Sequence, residues 1–320
     1  MVSDPAELLE ILELPQTLLE LATKAAQLFP LRVPHEFIAR MQRGKIDDPL
    51  LLQILPFGAE FFEQPGFTAD PLKESEASPS PGVVHKYRDR VLLILSGACA
   101  VNCRYCFRRH FPYGDNQLSG KNWQRALDYI RSKPEVQEVI FSGGDPLVTS
   151  DLRLTKMIAD LEQIKSVQRL RIHTRLPVVI PGRITAELIQ SMQNSRFDKV
   201  LVLHINHPQE IDVQLQEAAR RLRVAGITLL NQTVLLKGIN DNDQIQSELS
   251  RALFKIGVLP YYLFLFDPVK GAGHFDIPIA RAQQIAAKMQ EALPGYLMPR
   301  LAKEIPGQAS KTLILPLGNQ

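Results

Sequence analysis

The chain is short of several things. Cysteine occurs three times in 320 residues and tryptophan once. No run of about 18 apolar residues is present, so no ordinary membrane-spanning helix is expected. The N-terminus, MVSDPAELLEILELPQ, carries acids where a secretory signal needs basic residues. Charge of one sign is lacking too: 37 Lys plus Arg against 34 Asp plus Glu leaves a formal net charge of +3. That balance gives no reason to expect a nucleic-acid partner. No internal repeat and no long low-complexity tract occurs. Three thiols cannot all pair, so a disulfide framework is not expected. Clustered thiols in a cytoplasmic setting point to metal ligation or reactive chemistry instead.

What is present suits a globular chain. Hydrophobic residues make up 45% and charged residues 22%, enough for one large domain or two ordinary ones. PAELLEILEL (5–14) and TLLELATKAAQLF (17–29) put apolar residues three and four apart, as short helices do. PGFTADPLKESEASPSPG (65–82) reads as a loop or linker too polar to build core. From residue 90 a rhythm begins. β-prone apolar runs, RVLLILS (90–96), VQEVIFS (136–142), VQRLRIH (167–173), KVLVLHI (199–205), TLLNQTVL (228–235) and PYYLFLFD (260–267), alternate with amphipathic helical stretches. Nearly continuous apolar strands between helices imply a parallel sheet covered by helices. Six such units fall short of the eight in a closed barrel. The expected fold is therefore α/β, a partial (β/α)6 parallel barrel (83–292). It follows an N-terminal helical extension and linker (1–82) and precedes a short C-terminal segment (293–320).

In parallel α/β folds the chemistry sits at the C-terminal ends of the strands. Here those ends read SGACAVNCRYC, SGGDP, HTRLP, HINHP, the NQ of TLLNQTVL, and FDPVKGAGHF. All three thiols, Cys99, Cys103 and Cys106, fall in the first, as C-x3-C-x2-C. Three thiolates can bind three irons of a [4Fe-4S] cluster and leave the fourth iron open. A zinc ion would want a fourth ligand, and His110 could complete C-x3-C-x2-C-x3-H. Both readings are open on spacing alone.

The spacing, with Tyr105 before the last cysteine, resembles the radical S-adenosylmethionine superfamily. There the open iron binds the amino and carboxylate groups of S-adenosylmethionine. Ser142-Gly143-Gly144-Asp145 ends the second strand. It resembles the stretch that holds the methionine amino group, where glycines admit close backbone approach and Asp145 can accept from an ammonium. Over about residues 30–313 the resemblance narrows to the lysine 2,3-aminomutase family. It is carried by KYRDRVLLILSGACAVNCRYCFRRHF, FSGGDPL, LRIHTRLPVVIPGRIT, HINHP, NQTVLLKGIND, FDPVKGAGHF and IPGQASKT. The chain ends soon after IPGQASKT, like the short members linked to β-lysylation of elongation factor P.

That resemblance implies an isomerase converting L-lysine to β-lysine. Its cofactors are a [4Fe-4S] cluster, S-adenosylmethionine and pyridoxal 5′-phosphate. An electron donor such as flavodoxin or ferredoxin and a separate elongation factor P ligase are implied as partners. Lys311 matches the lysine that holds pyridoxal phosphate, although relatives carry a richer glycine run before it. Lys86, Tyr87 and Arg90 match the phosphate-contacting positions. Arg108 matches the arginine that takes the substrate carboxylate in a two-point fork. Asp267 and Glu304 match the acid pair that grips the side-chain ammonium, with Glu304 one methylene longer than the family aspartate. His204 and Gln232 match positions near the adenosyl group. His173, His207 and His274 read as satisfied structural histidines, and Arg109 and His110 receive no role. A relative acting on another amino acid, such as glutamate, would need a cation where the two acids stand. An iron–sulfur carrier or zinc-stabilised binding module would need no pyridoxal site.

Overall fold

Alternation within single strands sets the architecture. In the run 169–174, Leu170, Ile172 and Thr174 are buried while Arg169, Arg171 and His173 are half-buried. One face packs beneath helices and the other faces a lumen. The computed structural model describes residues 1–316; the last four positions of the expected C-terminal segment, 317–320, lie outside them.

All six expected strands form and begin within two residues of their expected starts. Three more join them. The strands are β1 (Val83–Tyr87), β2 (Arg90–Ser96), β3 (Glu138–Gly143), β4 (Arg169–Thr174), β5 (Asp198–Leu203), β6 (Thr228–Val234), β7 (Leu259–Phe264), β8 (Arg300–Lys303) and β9 (Thr312–Leu313). They lie side by side in chain order in one sheet. Pairing is parallel from β2 through β8, and antiparallel for β1 on β2 and β9 on β8. The parallel series is thus one strand longer than expected. β8 (RLAK) and β9 are too short and too polar to show a period of two. Among the described residues β1 and β9 do not pair, so the barrel stays open along that seam.

Helices Lys121–Arg131, Asp151–Glu162, Ala186–Asn194, Val213–Val224, Asp243–Lys255 and Ile279–Ala292 cover the outside. Several start at side-chain caps: Thr185 accepts from Leu188 N, Asp212 from Leu215 N, and Asn242 from Gln244 N and Ile245 N. The N-terminal helices Pro5–Ile11 and Leu19–Leu28 form as expected. Leu8, Leu9, Phe37, Leu50 and Ile54 join the same core as Val91, Val139 and Leu170 of the strands. The segment 65–82 departs from its reading as an outlying polar loop: Leu72 and Glu74 are buried. No helix of the described residues is long and apolar enough to cross a membrane.

Candidate active site at the mouth and open seam of the barrel

The cysteine loop follows β2 and is pinned from outside. Asn102 N donates to Arg32 O at 2.9 Å and Arg104 N to Gln53 O at 2.9 Å. Arg104 is fully buried; its guanidinium grips Glu60 at 2.8 and 2.5 Å. Arg109 reaches the same carboxylate at 2.6 Å and the Gly271 carbonyl at 2.9 Å. Asn102, Arg104 and Arg109, between and after the thiols, thus anchor outward, and the thiols themselves are half-buried and free of disulfides. They feel one another. Burial and then Cys106, Asp145 and Cys103 raise the Cys99 thiol, and burial and then Cys103 push Cys106 up to about 11. A bound cation would reverse that order and draw off the protons. Among the described residues no three His, Cys, Asp or Glu side chains gather tightly enough for a single metal ion. His110 instead meets the Lys270 carbonyl at 3.0 Å. A donor set of three spaced thiols on one loop fits the corners of a cluster.

Beside this loop the end of β3 comes close. Gly144 N donates to Ser96 O at 2.7 Å and Asp145 N to Ala98 O at 2.9 Å. Gly143 has φ +127, and a Cβ on Gly143 or Gly144 would stand 2.5 Å from the Ser96 or Ala98 carbonyl oxygen. Only glycine allows this approach. One expectation changes here. Asp145 accepts from Thr174 Oγ1 at 2.7 Å, Arg175 N at 2.7 Å, Leu176 N at 2.9 Å and Leu147 N at 3.0 Å. Both oxygens are taken, so Asp145 ties the β3 loop to the end of β4.

His204, just past β5, lies edge-on to His173 of β4, with ring centroids 5.9 Å apart. Burial, then Arg175 and Arg108, lowers His204 to about 4, so it is neutral. Gln232 of β6 is buried. His207 is satisfied, its Nδ1 accepting from Gln209 N at 3.2 Å. His173 is not: its Nε2 is buried without a hydrogen-bond partner, as is His274 Nδ1. His173 therefore leaves the structural class and counts among the lumen's polar groups.

The two sheet edges meet through charge. Glu304, just after β8, accepts from Lys86 Nζ of β1 at 2.9 Å and from Lys311 Nζ at 2.9 Å. Lys311 Nζ lies 5.5, 5.9 and 5.4 Å from the ring centres of Tyr87, Tyr262 and Phe264. Burial raises Glu304, but Lys311 and Lys86 outweigh it and hold the carboxyl at about 2. Burial lowers Lys311, but Glu304 wins and keeps the ammonium above its usual range. Asp267 is pushed up to about 7 by burial and by Glu304 beside it. Arg90 stacks over Tyr87 at 4.3 Å and pairs with Asp89 at 2.7 Å. A lysine among flat aromatic rings, with Lys86 and Arg90 close by, fits a planar ring bearing a phosphate.

Arg108 turns inward. It forks onto Glu74, Nε to Oε2 at 2.7 Å and Nη2 to Oε1 at 2.8 Å, while Nη1 reaches Ser142 Oγ at 3.0 Å and Gly143 O at 3.2 Å. Glu74 escaped the sequence reading because nothing in a polar loop marks one acid for burial. Arg175, in HTRLP, is a further residue without a role in the sequence reading. It lies against Cys103 and bonds Gln53 Oε1 at 2.8 Å and Glu210 Oε2 at 3.0 Å. Its position at a strand's C-terminal end was the available signal.

A parallel, open barrel whose first parallel strand delivers a three-cysteine loop defines a radical S-adenosylmethionine protein. The profile of the Radical SAM superfamily matches residues 93–247. Similar folds include a radical SAM methyltransferase from Sphaerobacter thermophilus (TM-score 0.51, 18% identity, 69% of this chain and 68% of that one). Another is Streptococcus suis SuiB bound to S-adenosylmethionine (TM-score 0.50, 16% identity, 68% and 51%). Sequence relatives are more specific. The L-lysine 2,3-aminomutase of Haemophilus influenzae is 52% identical over 98% of this chain and 92% of its own, and that of Escherichia coli 51% over 97% and 91%. The Clostridium subterminale enzyme is 39% identical over 84% of this chain and 65% of its own. The chain belongs to the lysine 2,3-aminomutase family.

Proposed function

We propose that the protein is an L-lysine 2,3-aminomutase that moves the α-amino group of free L-lysine to the β-carbon. One observation carries this reading: identity above half with an L-lysine 2,3-aminomutase over nearly the whole of both chains. The site supports it, because groups suited to each part of the chemistry share one lumen. When bound, the [4Fe-4S] cluster with S-adenosylmethionine supplies one-electron C–H cleavage, and pyridoxal phosphate supplies a π system for the migrating amino group.

The chain's own residues divide the remaining work. Cys99, Cys103 and Cys106 would hold the cluster, one thiol for each of three irons. Gly143 and Gly144 would let the backbone approach the methionine end of S-adenosylmethionine, with Ser142 alongside and Asp145 fixing the loop. His204 and Gln232 line the adenosyl side. Lys311 would hold the pyridoxal, and Lys86, Tyr87 and Arg90 would hold its phosphate end. Arg108 takes the substrate carboxylate, while Asp267 and Glu304 take the far ammonium. The two acids favour a cationic side chain, and glutamate would meet them with repulsion. The product would supply β-lysine to a ligase acting on elongation factor P, in the cytoplasm, with a flavodoxin- or ferredoxin-type reductant.

The test is anaerobic reconstitution with iron, sulfide and pyridoxal phosphate, followed by L-lysine, S-adenosylmethionine and reductant. β-Lysine is the expected product. Lys311→Ala is expected to lose both the pyridoxal absorbance and turnover while retaining four irons. A wild-type protein that binds no pyridoxal phosphate, or rearranges glutamate in place of lysine, would overturn the reading.

A further inference from the structure

Glu74 sits where the sequence showed only a linker, and its placement is built. Asp70 Oδ1 accepts from the Glu74 backbone N–H at 3.0 Å, and Ser78 Oγ donates to the Glu74 carbonyl at 2.7 Å. Lys73, immediately before it, takes φ +49, the left-handed region that a non-glycine residue enters only when held there. The result is a carboxylate only 4% exposed. It spans the Nε/Nη2 edge of Arg108 at 2.7 and 2.8 Å and stands 3.7 Å from Lys86.

A guanidinium has five N–H donors in a rigid plane. With Glu74 on one edge and Ser142 Oγ and Gly143 O on Nη1, both the plane and the rotation of Arg108 are set. Glu74 holds the two-point fork that the sequence reading assigned to the substrate carboxylate, and four of the five donors are engaged. We infer that Glu74 is a positioning residue, which orients Arg108 so that its one remaining N–H, on Nη2, meets the carboxylate of a free amino acid. The inference rests on the proposed role of Arg108. It also gives the loop 65–82 a task. Its acid neutralises Arg108, so the site keeps directionality for a carboxylate without a surplus charge. Through Lys86 the same acid links the carboxylate end of the site to the seam that holds Lys311.

The test uses the reconstituted holoenzyme as Glu74→Gln, Glu74→Asp and Arg108→Gln. Glu74→Gln is expected to raise the KM for L-lysine roughly tenfold to a hundredfold, with a much smaller change in kcat. Glu74→Asp should recover much of the loss. Calorimetric binding of L-lysine without S-adenosylmethionine should weaken in parallel. L-Lysinamide, which has no carboxylate, should inhibit Glu74→Gln and the parent protein equally. The change that S-adenosylmethionine makes in the cluster's EPR spectrum should also be unaltered. If Arg108→Gln weakens L-lysine and Glu74→Gln does not, the inference falls while the reading of Arg108 stands. If lysinamide suffers as much as lysine, Glu74 is only a staple for its loop, and the inference also falls. If Arg108→Gln leaves L-lysine binding unchanged, the underlying assignment is what fails. Should Glu74→Gln not fold, Glu74→Asp decides: a residual rise of a few-fold in the L-lysine KM with lysinamide inhibition unchanged is expected, and an equal change in both overturns the inference.

Discussion

Arg108 and Arg109 are adjacent, their side chains are 8% and 1% exposed, and each meets one buried glutamate. They do opposite things. Arg109 joins Arg104 on Glu60 and ends on the carbonyls of Arg104 and Gly271. That cluster closes on protein, between the N-terminal extension and the back of the cysteine loop. Arg108 joins Glu74 and ends on Ser142 and Gly143, at the edge of the lumen. Composition and burial therefore do not distinguish the Arg109 clamp from the binding group proposed at Arg108. What distinguishes them is whether the remaining contacts lead away from the site or into it.

The comparison breaks most sharply at Glu60. Glu60→Gln leaves Arg104 and Arg109 buried without their shared counter-charge, at a cost of about 3–5 kcal/mol. Denaturant unfolding of the apoprotein should read that loss, and iron content after reconstitution should fall as the cysteine loop loosens. Glu74→Gln should cost less stability and more substrate affinity. If both variants lose the same quantity by the same measure, the division into clamp and binding group is wrong.

A smaller effect is expected at Gly144. An added Cβ would stand 2.5 Å from the Ala98 carbonyl oxygen, and backbone cannot give way as a side-chain tip can. Gly144→Ala should cost about 1–3 kcal/mol in stability. It should also weaken S-adenosylmethionine binding, measured by titrating the cluster's EPR signal, while leaving the pyridoxal absorbance intact. Loss of pyridoxal instead would mean that the β3 loop and the seam are not separate parts.

Much of this site was legible because the chemistry needs side chains at fixed spacings. The thiol loop, the two glycines and the six parallel strands all carry local patterns, from 3- and 4-residue offsets to apolar runs. What was not legible depends on long-range pairing. Lys86, Glu304 and Lys311 were each named by the family resemblance, but the ion pairs by which Glu304 joins the two lysines were not legible, because they form only where β1 and β9 are the edges of one open sheet. The strands responsible are short: β8 spans four residues and β9 two. Glu74 left no local signature, since its buried ion pair with Arg108 looks in sequence like two surface charges, and Arg175 left only its place at a strand's C-terminal end. His173 and His207 both sit in His-containing strand ends, and only packing shows that one ring is satisfied and the other is not.

The two carboxylates at the seam sharpen the comparison through pH. Glu304 is held at about 2, against an ordinary 4.5, because its cations outweigh its burial; Asp267 is raised to about 7, against 3.8, because burial and Glu304 prevail. For stability the signs are opposite. Glu304 contributes stability above pH 4.5 that is lost as pH falls toward 2, whereas Asp267 keeps a proton the unfolded chain has shed, so its contribution declines from about pH 4 to 7 and is flat above. The grip on the ammonium proposed for Asp267 requires it ionised. kcat/KM for L-lysine, which reports the free enzyme, should therefore climb about tenfold from pH 6 to 8. The kcat limb should lie at lower pH, because the bound ammonium itself stabilises the carboxylate. Asp267→Asn should flatten the kcat/KM limb at a low value, while Glu304→Gln should move the midpoint of that limb downward by removing the neighbouring negative charge. A limb that persists unchanged in Asp267→Asn would assign the titration to another group and remove Asp267 from the ammonium site.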